Sequence, residues 1–325
     1  MRALVCSQFG TAESLAIEDW DLPLLQPHQV RVDVRAAGMN FPDALIIAGK
    51  YQVKPSLPFV PGGECAGVIS AVGEEVDNFQ VGDRVIAMPG MAAFAEQVQV
   101  DRQQLVPMPE RMSFTQAAGF CITYATSYYA LKQRADIRPD ETLAVMGAAG
   151  GVGATAIQLG KALGARVIAC ASSAEKLEFC RRIGADELVN YRTEDLKERI
   201  RELTGGRGAD VIMDPVGGDY TEQAYRSIAW SGRYLVIGFA SGDIPRLPMN
   251  LPLLKAGDIM GVFWGSWAQR DPDRNLENFA DLLQMVEEGK LDPLVTEVYP
   301  FEDYARAFAT ITERRARGKV ILSFE

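Results

Sequence analysis

The sequence predicts an α/β protein: a doubly wound parallel sheet joined to a second, β-rich body. Three observations carry this. From Thr142 to Ile237 short apolar strands alternate with amphipathic helices, a rhythm that requires right-handed crossovers between parallel strands. Ahead of it, the first 110 residues read as short strands punctuated by prolines at 55, 58, 61, 89, 107 and 109. Thirty glycines in 325 residues, above the usual share of about 7%, suit many tight βα turns.

The elements follow in order. Met1–Cys6 reads as a strand, Val30–Val34 alternates apolar with charged residues, Gly67–Val72 is a short apolar run, and Asp83–Ala87 resumes after a Val-Gly-Asp turn. Leu143–Met146 is an apolar strand. Glycine turns and a helix follow, with Val152, Ala156, Leu159 and Leu163 on its apolar side and Gly164 as its stop. Arg166–Cys170, Glu187–Asn190, Asp210–Asp214 and Tyr234–Ile237 read as strands, with helices over Ala174–Ile183, Glu194–Leu203 and near Thr221–Trp230. After the apolar segment Ile259–Trp264, helical spacing returns at Leu276, Phe279, Leu283 and Val286. A last helix carries Tyr304, Phe308 and Ile311, and the strand Lys319–Phe324 is expected to return to the N-terminal body. The expected division is therefore 1–119 plus 263–325 for one domain and 120–262 for the other.

Charge narrows the function. Lys+Arg 33 against Asp+Glu 43 leaves −10, which argues against nucleic acid or acidic lipid as partner. The five cysteines are scattered, none in a C-x-x-C pair, and His28 is the only histidine, so a Cys/His zinc site has almost nothing to draw on. The thiols read as small core residues of a reducing compartment. The uncharged runs Met112–Leu131 and Thr142–Gly160 carry tyrosines and hydroxyl residues or glycines, so neither reads as a lipid-facing helix. No leader pattern precedes the first strand, and a cytoplasmic protein is expected.

The sharpest local signal is Gly147-Ala148-Ala149-Gly150-Gly151-Val152-Gly153, between a strand and a helix. Such a turn brings backbone N–H groups against a pyrophosphate at a helix N-terminus. Gly150 and Gly153 match the second and third glycines of a dinucleotide fingerprint, while Ala148 stands where the first is usual. Ala149, Gly150, Gly151 and Val152 are thus the candidate pyrophosphate contacts. The next strand ends Ala171-Ser172-Ser173, without the carboxylate that an NAD enzyme offers to the ribose. Ser172, Ser173 and Lys176 suit a 2′-phosphate, and Tyr191 and Arg192 stand ready to help hold the adenosine phosphate; NADPH is the expected cofactor. Lys176 reads equally as an exposed helix lysine.

With these residues in view, the chain resembles the zinc-independent quinone oxidoreductases (zeta-crystallin-like) of the medium-chain dehydrogenase/reductase superfamily. The resemblance spans essentially the whole length. It rests on Ala37-Gly38-Met39-Asn40-Phe41-Pro42-Asp43, Pro61-Gly62-Gly63-Glu64-Cys65-Ala66-Gly67, Val81-Gly82-Asp83-Arg84-Val85, the glycine turn, Asp214-Pro215-Val216-Gly217-Gly218 and Gly318-Lys319-Val320. It implies a Rossmann domain for NADPH and a GroES-like catalytic domain, with Asn40, Asp43, Tyr51 and Thr126 lining the cleft between them. By that resemblance Asn40 orients a carbonyl or ribose hydroxyl, Asp43 fixes the loop, Thr126 touches the nicotinamide side, and Tyr51 stands where related enoyl reductases keep a proton-donating tyrosine. Asn40 and Asp43 read equally as Asx turns, and Tyr51 as a loop aromatic. Gly238, Phe239 and Ser241 fit the loop under the nicotinamide ribose. Phe263, Trp264 and Trp267 wall the cofactor or belong to an apolar edge strand at a dimer seam. Arg317, with Arg314 and Arg315, reaches the 2′-phosphate or ends a solvated helix.

Zinc-dependent relatives place a Cys near Asn40 and a His near Gly63, and carry a four-cysteine cluster; this chain has none of these, so no metal is expected. Without a Lewis acid, reduction of a quinone or other α,β-unsaturated carbonyl is easier than alcohol oxidation, because conjugation spreads the incoming charge. A 2-enoyl thioester reductase is the alternative chemistry. An NADPH-binding structural or RNA-associated protein is the alternative of another class, disfavoured by the acidic balance. A homodimer joined through Ile259–Trp264 is expected.

Overall fold

Two antiparallel strands, β1 (Arg2–Cys6) and β2 (Leu15–Asp19), open the chain in the computed structural model, which describes residues 1–325. The alternation at Val30–Val34 does make a strand, but a longer one, β3 (Gln29–Met39). It runs into helix α1 (Phe41–Ile47), then come β4 (Glu64–Val72), β5 (Arg84–Ala87), β6 (Gln97–Asp101), β7 (Leu105–Pro107) and α2 (Phe114–Ala118). Helix α3 (Cys121–Tyr128) leads to the parallel-sheet elements: β8 (Thr142–Met146), α4 (Gly151–Ala162), β9 (Arg166–Ala171), α5 (Ala174–Arg182), β10 (Glu187–Asn190) and α6 (Leu196–Leu203). They continue through β11 (Ala209–Asp214), α7 (Tyr220–Arg226), β12 (Ile228–Val236), α8 (Asn250–Lys255) and β13 (Asp258–Gly261). Helices α9 (Trp264–Arg270) and α10 (Pro272–Glu287) precede β14 (Val295–Pro300), α11 (Tyr304–Thr312) and β15 (Lys319–Ser323).

These elements form two units, residues 1–122 with 293–325, and residues 123–292. The first is built on a seven-stranded sheet in the order β14-β15-β3-β4-β5-β7, with β6 also paired to β3. Its core holds Leu4, Val30, Val32, Val34, Ile69 and Val85, from the apolar half of the strands' alternation, with Phe94 from a loop and Phe308 from α11. The register of β3 matters most for function. Its end lies between the starts of two neighbours: Gly38 faces Glu64, the first residue of β4, on one side, and Met39 faces Val320, the second residue of β15, on the other. The next residue, Asn40, therefore emerges between Glu64 and Lys319.

The second unit is a six-stranded parallel sheet in the order β10-β9-β8-β11-β12-β13. The order reverses between β8 and β11, which makes their carboxyl ends the switch point where ligands bind in such sheets. Gly164 and Gly184 close α4 and α5 with φ of +85° and +109°, conformations only glycine adopts cheaply.

Three expectations need correction. The helix near Thr221–Trp230 stops at Arg226, because Ser227 turns its hydroxyl back to the Ala224 carbonyl and β12 starts at Ile228. Only Asp258–Gly261 of the apolar segment is strand; Trp264 already opens α9. The boundary expected at 262/263 lies at 292/293 instead. Helices α9 and α10 are held to the second unit by Tyr128 donating to Asp281 at 2.7 Å, Gln133 donating to Asn278 at 2.6 Å and Trp267 stacked on Tyr129 at 4.5 Å.

Candidate active site

In the second unit, the loops after all six parallel strands leave from one edge of the sheet, and most of the cofactor residues expected from sequence fall on them. After β8 the chain turns at Gly147, with φ +58°, and enters α4 through Gly150. A Cβ on Gly153 would lie 2.5 Å from the Gly147 carbonyl oxygen and 2.7 Å from the Ala148 Cα, so glycine is what lets the helix seat on the strand. Gly150 differs. A Cβ there would meet only the Gly147 oxygen, at an ordinary 3.4 Å, so packing within the protein does not demand glycine, and its absent side chain leaves the backbone open to close approach. The first-turn N–H groups of Gly151, Val152 and Gly153 have no helical acceptor and suit a phosphate. Gly153→Ala is expected to cost roughly 1–3 kcal/mol by overpacking and to weaken dinucleotide binding with it. Thermal melts and a ligand titration on one sample check both; unchanged affinity would show that the turn does not hold the dinucleotide.

After β9, Ser173 caps α5 by accepting from the Lys176 N–H at 3.3 Å, which puts Lys176 in the first turn beside Ser172 and Ser173. The Tyr191 phenol, just past β10, hydrogen-bonds the Ser172 side chain, and its ring lies 4.5 Å from that of Tyr220. After β11, buried Asp214 gathers its own loop, accepting from the N–H groups of Val216 at 2.8 Å and Gly217 at 3.0 Å, and from Thr221 and Tyr234 hydroxyls. That loop holds the one after β12: Ala240 and Ser241 N–H groups donate to Pro215 and Val216 carbonyls, which fixes Gly238, Phe239 and Ser241. Phe263 follows β13 and is 55% exposed, and Thr126 lies on α3. Arg317 lies in the first unit, shortly before β15.

In the first unit a buried polar cluster forms where β3 meets α1. The Asn40 N–H donates to Asp43 Oδ2 at 2.7 Å, so Asp43 closes the helix start from within. The Asn40 side-chain Nδ2 donates to Glu64 Oε1 at 2.9 Å and to the Gly38 carbonyl at 3.3 Å. The Lys319 ammonium spends its three donors on Asn40 Oδ1 at 2.6 Å, the Met39 carbonyl at 2.9 Å and Glu64 Oε1 at 2.7 Å. Glu64 Oε2 accepts from the Ile122 N–H at 2.8 Å. Burial lifts the Asp43 carboxyl to about 7, against the Asn40 N–H and the Lys319 charge, which pull it down. Tyr51 is half-buried on the loop after α1; burial and the Asp43 charge push its phenol up. Of the expected catalytic residues, Asn40 and Asp43 are hydrogen-bonded together and Tyr51 is near enough to Asp43 to feel its charge.

Glu64 and Lys319 lie within motifs that carry the resemblance, but the sequence alone gives them no role. The available signal was a carboxylate and a lysine each inside an otherwise apolar, glycine-flanked run, where a charge survives only if paired.

Zinc does not fit these residues. Where zinc-dependent relatives place their ligands, the chain has the Asn40 amide, Gly63, and a Glu64 carboxylate already neutralised by an ammonium. Cys65 and Cys121 are fully buried, and burial pushes both thiols up, away from the thiolate a metal needs. His28 faces Asp101 at the surface, 3.4 Å away.

Comparison with known proteins agrees with the two-part architecture. Residues 26–110 match the family model of the alcohol dehydrogenase GroES-like domain, and residues 151–286 that of the zinc-binding dehydrogenase. The chain is 39% identical over 325 residues to quinone oxidoreductase-like protein 2 of Bos taurus, covering 100% of this chain and 93% of the relative. The crystal structure of Escherichia coli quinone oxidoreductase complexed with NADPH superposes with a TM-score of 0.93 at 29% identity, over 99% of this chain and 100% of that one. The CurK enoyl reductase structure gives 0.91 at 29% identity, over 99% and 98%.

Proposed function

Since the chain belongs to the quinone oxidoreductase (zeta-crystallin-like) branch of the medium-chain dehydrogenase/reductase superfamily, we propose that this oxidoreductase uses NADPH to reduce quinones or other α,β-unsaturated carbonyls. The observation that carries the choice of chemistry is the ammonium of Lys319 on Glu64, at 2.7 Å, in a region with no set of metal donors. Taking a proton from an unactivated alcohol needs a Lewis acid or a strong base. Conjugated acceptors do not, because the charge that arrives with hydride is delocalised into the carbonyl. Bound NADPH supplies the hydride. The glycine turn and the α4 N-terminus hold its pyrophosphate; Ser172, Ser173 and Lys176 meet the 2′-phosphate; Gly238, Phe239 and Ser241 form the floor under the nicotinamide ribose. Tyr51, kept protonated by its surroundings, delivers a proton to the enolate left by hydride addition to an enone, whereas a reduced quinone can take its protons from water.

Enoyl thioester reduction is the second reading, favoured by the likeness to CurK enoyl reductase. Parallel stopped-flow oxidation of NADPH against quinones, enones and enoyl-CoA esters separates the two. No turnover with any of the three would remove both. Cofactor choice is tested at Lys176: Lys176→Ala is expected to lose roughly 1–3 kcal/mol of NADPH binding, the range for a charge-assisted hydrogen bond, and little of NADH binding. NADH binding as tightly as NADPH in the unaltered protein would defeat this reading of the loop.

We also propose a homodimer. β13 is the outer strand of its sheet and carries exposed Ile259, with exposed Phe263 just beyond it. Sedimentation at micromolar concentration is expected to give twice the mass of the 35.5 kDa chain, and a clean monomer would count against the proposal.

A further inference from the structure

Glu64 and Lys319 are a buried ion pair, with side-chain exposures of 0% and 5%. Such pairs are poor stabilisers, since desolvation offsets their attraction and apolar replacements are often as stable. The structure nevertheless makes room for this one. A Cβ on Gly38 would lie 2.2 Å from the Ala118 carbonyl oxygen and 2.9 Å from Glu64 Oε1; a Cβ on Gly119 would lie 2.5 Å from Lys319 Cγ. What the pair does is orient an amide. Both hydrogens of Asn40 Nδ2 are spent, on Glu64 and on the Gly38 carbonyl, and Oδ1 accepts from Lys319. Turning the amide over would set NH₂ against an ammonium and oxygen against a carboxylate and a carbonyl, three repulsive contacts in place of three hydrogen bonds.

We propose that Glu64 and Lys319 are positioning residues that lock the Asn40 amide in this state, so that a lone pair of Oδ1 is all Asn40 can offer a ligand. Asn40 then reads a hydroxyl donor, a ribose hydroxyl of the bound cofactor, and not the carbonyl of the substrate, which has no hydrogen to give. The lock itself stands on the geometry; the identity of the ligand rests on the proposed function.

The test uses the full chain and four proteins: unaltered, Lys319→Met, Glu64→Gln, and Glu64→Gln/Lys319→Met. Lys319→Met alone strands a buried carboxylate, so the double variant, which removes both charges, keeps the test open if the single one does not fold. The double variant is expected to melt close to the unaltered protein and to bind NADPH roughly 10-fold more weakly, the scale of one hydrogen bond, with an unchanged KM for the acceptor. Unchanged NADPH affinity in the folded double variant overturns the proposal. So does a loss carried in acceptor KM and kcat at unchanged NADPH affinity, which would put Asn40 on the carbonyl. If the unaltered protein binds no NADPH, the functional reading fails and the lock is read directly from the ¹⁵N-labelled Asn40 side-chain amide. Two distinct, exchange-protected hydrogens that lose protection in the double variant support it; an unprotected amide in the unaltered protein overturns it.

Discussion

On an enone or enoyl thioester, Tyr51→Phe is expected to slow turnover on the order of 10²-fold, the low end for general acid catalysis. The substitution keeps the ring, which packs beside the first unit's core, and removes only the hydroxyl. The phenol is suited to the task because burial and the Asp43 charge both hold its proton on, so it is lost only to a strong base such as an enolate. With a quinone the same change is expected to cost little, mainly in KM, since water can protonate the reduced oxygens. One variant on two substrate classes thus tests the residue and chooses between the two reactions. No change on any substrate would leave Tyr51 a loop aromatic.

The second large effect is on stability. The Asp43 carboxyl is raised from an ordinary 3.8 to about 7 in the fold. Between those values the folded protein holds a proton that the unfolded chain has released, so the stability this proton confers is full below about pH 4 and is lost as pH rises through 7. That rise corresponds to on the order of 4 kcal/mol across the window. Lys319, Glu64 and Tyr51 are the ionisable groups around this carboxyl, and they remain in the test variant. Asp43→Asn keeps an oxygen for the Asn40 N–H and removes the titration, so its stability is expected to change far less between pH 4.5 and 8. Denaturant melts at the two pH values check it. Equal pH dependence in both proteins would mean that Asp43 ionises normally.

Local chemistry determined a good part of this protein. The turn from Gly147 to Gly153, the strands on either side, and Gly164 and Gly184 as helix stops could be read directly, because period and glycine act within a few residues. The parallel, doubly wound character of the second unit's sheet follows from the same repetition, since strands joined through helices run parallel with crossovers of one hand. Asn40 and Asp43 are singled out by the family resemblance; what local chemistry says of them is an Asx-type turn, and they do lie three residues apart at one helix start.

Tertiary structure decided the rest. Nothing in the spacing of α9 and α10 says which sheet they cover; the partners that hold them, Tyr128, Tyr129 and Gln133, lie more than a hundred residues earlier. The orientation of Asn40 depends on Glu64, 24 residues away, and on Lys319, 279 residues away. Those two meet only because β4 and β15 both pair with β3 in a particular register. A carboxylate and an ammonium look alike in sequence whether solvated or buried; burial is what turns them from surface charges into a clamp, because in a low dielectric neither can remain without the other.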